Sequence, residues 1–196
     1  MKAEKQTKGE IRSMQIIAIA RSVLIKYGYD RFVLRDIAKS ANMTLGNLQY
    51  YFKTREDLIE ALGRAEIARN LGIMKISKKE AHTPHDNLRY LVRSVVKDWQ
   101  NEGGKVYAVI ALLAMHQPRF ARLHVEIYTL FYSALSGVLA QSQPGTPDEV
   151  LMQRTRVITS LLDGALFQIP IPGDGSINAK RNDFLNELTE AAIKLT

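Results

Sequence analysis

Apolar positions recur at helical spacing in nearly every segment of the chain, and no stretch alternates cleanly enough to predict a strand. Ile16, Ile17, Ala20, Val23, Leu24 and Tyr27 repeat on one helix face, and Gly28 closes that helix. Leu34–Ala41 reads as a second, short helix; Asn42-Met43 breaks it and Thr44 can cap a third. Thr54 opens a fourth, with Asp57 three residues on as a capping-box partner. Thr83-Pro84 with Asp86, and Thr146-Pro147 with Glu149, each combine a cap, a pre-set φ and an acid in the first turn. Gly103-Gly104 is expected to end the helix begun at Pro84. Further helices are expected over Lys105–His116, Pro118–Gln141, Pro147–Ile169 and Ala179–Leu195, with Pro170–Ser176 as a loop. The expected fold class is all-α, with about nine helices and no internal repeat.

One stretch, "NMTLGNLQYYFKTRED" from Asn42 to Asp57, sits oddly in that pattern. Gly46 lies inside a helix of two turns, where glycine costs about 1 kcal/mol relative to alanine. Tyr50, Tyr51 and Phe52 then put three rings in a row, too many for one face to bury. If Ile37 and Ala38 face inward from the second helix, and Leu48 and Phe52 from the third, then Gly46, Asn47 and Tyr50 face outward, flanked by Gln49 and Tyr51. That outer face is small, polar and uncharged. Glycine lets a backbone approach closely, tyrosine hydroxyls can donate to phosphate oxygens, and the second helix of a helix-turn-helix meets DNA in this way.

The segment "VLRDIAKSANMTLGNLQYYFKTREDL", Val33 to Leu58, resembles the helix-turn-helix of the TetR family of tetracycline-repressor-like transcriptional regulators. Arg35, Asp36, Ile37, Ala38, Ala41, Gly46, Leu48, Phe52, Glu56 and Leu58 match the family pattern in order and spacing. The resemblance covers about the first 65 residues. It implies that Thr44 caps the recognition helix and touches phosphate, that Leu45, Gly46, Asn47 and Tyr50 face base edges, and that Tyr51, Lys53 and Arg55 hold the DNA backbone. Arg35 and Gln49 complete the expected DNA-binding set. Val33 replaces the usual threonine and so removes a side-chain cap; Asn42 replaces glycine but tolerates the left-handed turn. Gln49 and Tyr51 replace a tyrosine and a histidine, keeping hydrogen-bonding ability. Leu45 either meets a thymine methyl or packs inward.

Charge agrees with a polyanionic partner. Residues 1–64 carry 12 Lys and Arg against 7 Asp and Glu, whereas residues 65–196 carry 15 against 13. Such an excess at one end suits phosphate backbone, or it only keeps the protein in solution. With no cysteine, thiolate metal sites and disulfides are excluded. The longest apolar run, Val106–Met115, is too short to span a bilayer. Together with an N-terminus that lacks a signal-peptide core, this suggests a cytoplasmic protein. His82 and His85 straddle a helix start without a third ligand, and no phosphate loop, nucleophile elbow or zinc-protease motif occurs. No cofactor, metal or enzyme activity is expected.

The expected organisation is a three-helix helix-turn-helix domain over residues 1–53 and a helical domain over 54–196, with 54–78 as the connecting helix. By the resemblance, the second domain binds a small ligand and forms the dimer. The helix from Pro147 carries an apolar arc of roughly 180°, wider than one core needs. Leu151, Ile158, Leu162, Leu166 and Ile169 from it, with Phe184 and Leu188 from the last helix, are the expected homodimer contact, with Leu162 and Leu166 nearest the partner. Trp99, Tyr107, His116, Phe120, His124, Tyr128 and Tyr132 are candidate walls of a pocket for a small apolar or amphipathic ligand; His124 would equally suit a core position. The expected function is a repressor released from a pseudo-palindromic operator by an inducer. The alternatives are a regulator that answers to a protein partner or to no ligand, and a helical carrier of apolar small molecules.

Overall fold

The computed structural model describes residues 7–80, 83–168 and 176–195. Among them are nine α-helices and one π-helical turn: α1 (Lys8–Tyr27), α2 (Leu34–Ser40), α3 (Leu45–Tyr51), α4 (Arg55–Glu80), α5 (Pro84–Asp98), the π turn (Trp99–Gly103), α6 (Gly104–Ala114), α7 (Pro118–Ser142), α8 (Asp148–Gln168) and α9 (Ser176–Lys194). The all-α expectation holds.

Local capping explains several of the helix starts. Thr7 and Glu10 form a reciprocal capping box ahead of α1. Thr54 and Asp57 do the same for α4, through Thr54 N–H to Asp57 Oδ2 at 2.9 Å and Asp57 N–H to Thr54 Oγ1 at 3.1 Å. Thr83 accepts from Asp86 N–H, with Pro84 in the first turn of α5. α8 starts one residue later than expected, because its first bond runs from Leu151 N–H to the Pro147 carbonyl and leaves Pro147 outside the helix. α9 begins at Ser176, three residues before the expected Ala179, and the expected loop at 170–175 and Ile169 lie outside the described residues.

The glycine pair is the main correction. Gly103-Gly104 does not end a helix: α5 passes through the π turn directly into α6, and Gly104 has helical dihedrals, φ −58° and ψ −34°. A Cβ on Gly104 would overlap Leu166 Cδ1 and lie 2.5 Å from the Trp99 carbonyl oxygen. Glycine is needed there for close packing across the π turn, a local demand that overrides its usual role as a stop.

The chain divides into two compact units. The first comprises Met1–Glu66 with Lys105–His124, and the second Ile67–Gly104 with Val125–Thr196. The boundary expected after residue 53 falls inside the first unit, since Leu58, Ile59 and Leu62 of α4 are buried there. The core of this unit gathers Ile16, Ala20, Leu24, Phe32, Ile37, Leu48, Val106, Ile110 and Phe120. Arg119 ties α7 to α4 by donating to Glu60 Oε2 at 2.8 Å and to Asp57 Oδ1 at 2.6 Å. Arg21 pairs with the buried Glu66.

The second unit is organised by α5, α8 and α9. Leu88, Leu91, Val92, Val95, Leu151, Ile158, Leu162 and Leu188 are buried. Arg89 pairs with Glu190, and Arg69 makes a two-pronged bond to Asp98, including Nη2 to Oδ2 at 2.9 Å. By length and composition α7 could cross a bilayer, yet Phe120, Leu123, Ile127, Phe131, Leu135 and Leu139 are buried within the protein.

Candidate nucleic-acid interface

The helix-turn-helix is built by α2, a four-residue turn and α3. Ala41 N–H bonds the Ile37 carbonyl at 2.9 Å, and Met43 N–H returns to the Ala38 carbonyl at 3.0 Å. Between them Asn42 takes φ 50°, the left-handed conformation that asparagine adopts more readily than most residues. Thr44 then caps α3, its Oγ1 accepting from Asn47 N–H at 3.2 Å. That bond leaves the Thr44 hydroxyl hydrogen available as a donor. Val33 precedes α2 without any side-chain cap.

Inside and outside separate along α3 as its spacing requires. Leu48 and the following Phe52 are buried, whereas Gly46, Asn47, Gln49 and Tyr50 are exposed. Tyr50 stands 84% exposed although Leu48, two residues away, is fully buried. Its ring meets Tyr51 edge-to-face, with centroids 5.2 Å apart and planes at 87°. Leu45 and Tyr51 are half-buried, so Leu45 divides its surface between the core and the outer face. A Cβ on Gly46 would meet nothing within 4 Å, so the glycine serves no packing purpose within the chain.

Asn42, Met43, Thr44, Asn47, Tyr50 and Tyr51 line a groove of about 420 Å³, closed on one side by Arg12 from α1. No acidic side chain lines it. Lys53 and Arg35 are exposed nearby in sequence. Arg55 behaves differently from the expectation that it holds the DNA backbone. Its guanidinium lies 3.7 Å over the Tyr29 ring and donates to the Tyr29 carbonyl, with Nε buried. Tyr29 engages the cation at this helix start.

Residues 16–62 match the family model described as "Bacterial regulatory proteins, tetR family". That stretch, from α1 into α4, is the DNA-binding segment of a TetR-family regulator. It is similar to the HTH-type transcriptional regulator BetI of Stenotrophomonas maltophilia (strain R551-3), with 25% identity over 88% of this chain and 87% of the relative. The fatty acid metabolism regulator protein of Bacillus subtilis (strain 168) is 30% identical over 40% of this chain and 41% of its own. The fold is that of a transcriptional regulator from Rhodococcus sp. Rha1, with a TM-score of 0.77, 19% identity, and 93% and 94% of the two chains covered. It is also that of the regulator FadR from Bacillus subtilis in complex with stearoyl-CoA, with a TM-score of 0.67, 22% identity, and 93% and 96% covered. The chain is a DNA-binding transcriptional regulator rather than an enzyme.

Outside the stretch matched by the TetR model, the expected site residues scatter. Of the candidate pocket walls, Tyr107, His116, Phe120 and His124 fall in the first unit and Trp99, Tyr128 and Tyr132 in the second. Phe120 is 0% exposed, so it faces no space large enough for a water and fills the core instead of lining a pocket. His116 is exposed in the turn after α6. Burial holds the His124 pKa below the ordinary histidine value, which keeps the ring neutral at neutral pH. In the second unit the Trp99 ring lies 6.1 Å from that of Phe131, and Tyr128 and Tyr132 meet edge-to-face at 5.6 Å. Tyr128 donates to Asp163 Oδ2 at 2.7 Å, and burial raises the Asp163 pKa against the lowering effect of that bond.

The expected dimer edge also needs correction. Ile158 and Leu162 are 0% exposed within a single chain, and Leu151 and Leu188 are buried. A fully buried side chain has no area left to lose on association, so Leu162 belongs to the core of its own subunit. Leu166 is half-buried against Gly104, and Phe184 is half-buried on α9. The apolar surface α8 turns outward is Val157 at 48% and Phe167 at 63% exposure.

Proposed function

We propose that this TetR-family protein is a cytoplasmic repressor that binds a pseudo-palindromic operator as a homodimer and leaves it when a small apolar or amphipathic ligand binds among its C-terminal helices. The observation that carries the DNA half is Tyr50, 84% exposed on a two-turn helix whose inward-facing Leu48 is fully buried. A ring of that size left in solvent beside Gly46 and Asn47 makes sense when a second molecule covers it. Thr44, Asn47, Gln49, Tyr50 and Tyr51 meet the duplex, Leu45 and Gly46 allow close approach, and Arg35 and Lys53 add charge. Two-fold pairing supplies the second half-site that specificity requires. Val157 and Phe167 on α8, with Phe184 on α9, supply apolar surface for that pairing. The ligand half draws support from FadR, a protein of this fold solved with stearoyl-CoA.

The test is selection of genomic fragments by the purified protein, followed by salt-dependent binding to the recovered duplex. A recovered site with two-fold symmetry, whose binding falls steeply with salt, supports the reading. Recovery of random fragments without symmetry overturns the dimeric operator. Adding acyl-CoA thioesters and other amphipathic compounds to the complex then tests release.

A further inference from the structure

Arg12, which no motif singles out, sits where α1 meets the recognition helix. Its Nη1 donates to Gln15 Oε1 at 3.0 Å, and its Nη2 donates to the Ala41 carbonyl at 3.2 Å while lying 3.9 Å from Met43 Sδ. All of these partners are neutral. Among the described residues Arg12 has no carboxylate partner, unlike Arg21 with Glu66 or Arg119 with Asp57 and Glu60. Its charge is therefore held in place without being neutralised. The place is the wall of the groove shared with Asn42, Met43, Thr44, Asn47, Tyr50 and Tyr51, which otherwise offers only neutral polar and aromatic groups. A guanidinium has five donors in a planar fork, and the bonds above leave some of them unused.

We infer that Arg12 is a DNA-backbone contact, placing one phosphodiester against α1 while its bond to the Ala41 carbonyl ties that contact to the turn ahead of the recognition helix. The inference rests on the proposed DNA interface and adds to it a second element, α1. The groove selects an anion by its single uncompensated cation, and Thr44 and Tyr51 add hydroxyl donors beside it. A phosphate held there would sit next to the helix that faces the bases. Arg12 would then fix the depth and register of α3 as well as adding affinity.

The experiment compares full-length wild type with Arg12→Gln, Arg12→Ala and Arg12→Lys. Binding to a duplex recovered by genomic selection and to a random-sequence duplex of the same length is measured across a salt series, with thermal unfolding on the same preparations. Gln can still donate to the Ala41 carbonyl but carries no charge, so it decides the matter even if Ala fails to fold. The expected result is that Arg12→Gln weakens binding to both duplexes and lowers the log-log salt slope by about 0.9 per protomer, while Arg12→Lys keeps the slope. A folded Arg12→Gln variant with an unchanged slope overturns the inference. Lys53→Ala serves as a control from the proposed interface. If it shifts the slope and Arg12→Gln does not, only the Arg12 contact fails; if wild type itself shows no salt-dependent binding, the interface as a whole fails.

Discussion

Replacing Tyr50 by alanine separates folding from DNA binding more cleanly than any other change on α3. The side chain is 84% exposed, so truncation removes little buried area. Its one ring contact, edge-to-face with Tyr51, is worth about 0.5–1 kcal/mol. Alanine recovers about 0.5 kcal/mol through its better helix propensity. The net effect on stability is therefore within about 0.5 kcal/mol, or roughly 2 °C in melting temperature for a chain of this length. Binding should respond differently. A hydrogen bond to a charged phosphate contributes about 1.5 kcal/mol, and a two-fold operator uses it twice. The expected loss is about 3 kcal/mol, on the order of a hundredfold in Kd. Fluorescence anisotropy with a labelled operator and thermal circular dichroism on the same preparation check both halves. A melting temperature lowered by many degrees, with unchanged affinity in the folded fraction, would refute the assignment and make Tyr50 a folding residue.

Three further outcomes follow from the packing. Gly104→Ala should destabilise the chain by about 1–2 kcal/mol in urea unfolding, since the new Cβ meets Leu166 and the Trp99 carbonyl; Gly137→Ala on α7, with nothing within 4 Å, should stabilise it by about 0.5–1 kcal/mol. Asp163→Asn keeps an acceptor for Tyr128 but removes a carboxyl whose pKa burial raises. The folded chain takes up that proton more readily than the unfolded one, so wild-type stability should fall as pH rises through the carboxylate range. The variant should accordingly be more stable than wild type at pH 7, with the gap closing on acidification; a gap independent of pH would contradict this. Val157→Glu should keep its helical circular dichroism and run as a monomer in light scattering. Leu162→Glu should unfold, because it places a charge at a position with no exposure.

Much of this fold is legible in the sequence because helix starts are local events. Thr44, Thr54 and Thr83 each sit within three residues of the group they cap, and no distant part of the chain is consulted. The outward face of α3 is legible for the same reason, since a seven-residue helix with Leu48 inward leaves Tyr50 only one direction. What escaped depends on partners far along the chain. Gly104 reads as a stop until Leu166 is seen against it. Arg55 reads as a phosphate contact until Tyr29 is found beneath its guanidinium. The apolar arc of α8 has the width of two interfaces, but periodicity alone cannot say which side faces its own subunit. Arg12 carried one signal, a cation one turn ahead of the buried Ile16, yet the acceptor that orients it belongs to the turn after α2.

The distribution of charge now has a different meaning from its sum. The first unit looks basic, but several of its cations are committed within the protein. Arg21 is tied to Glu66, Arg119 to Asp57 and Glu60, Arg64 to Glu60, and Arg55 lies on Tyr29. Those charges stabilise helix packing and have little to offer a polyanion. Arg12, Arg35, Lys39 and Lys53 have no carboxylate partner among the described residues, and the last three are exposed. Counterion release counts only cations that reach phosphate, at about 0.9 per contact in the log-log slope. The slope expected from these four is about 3.6 per protomer, and other exposed cations such as Lys8 and Arg31 add to it only where they reach phosphate. A much steeper slope would mean that cations beyond these four, such as Lys8 or Arg31, also reach phosphate.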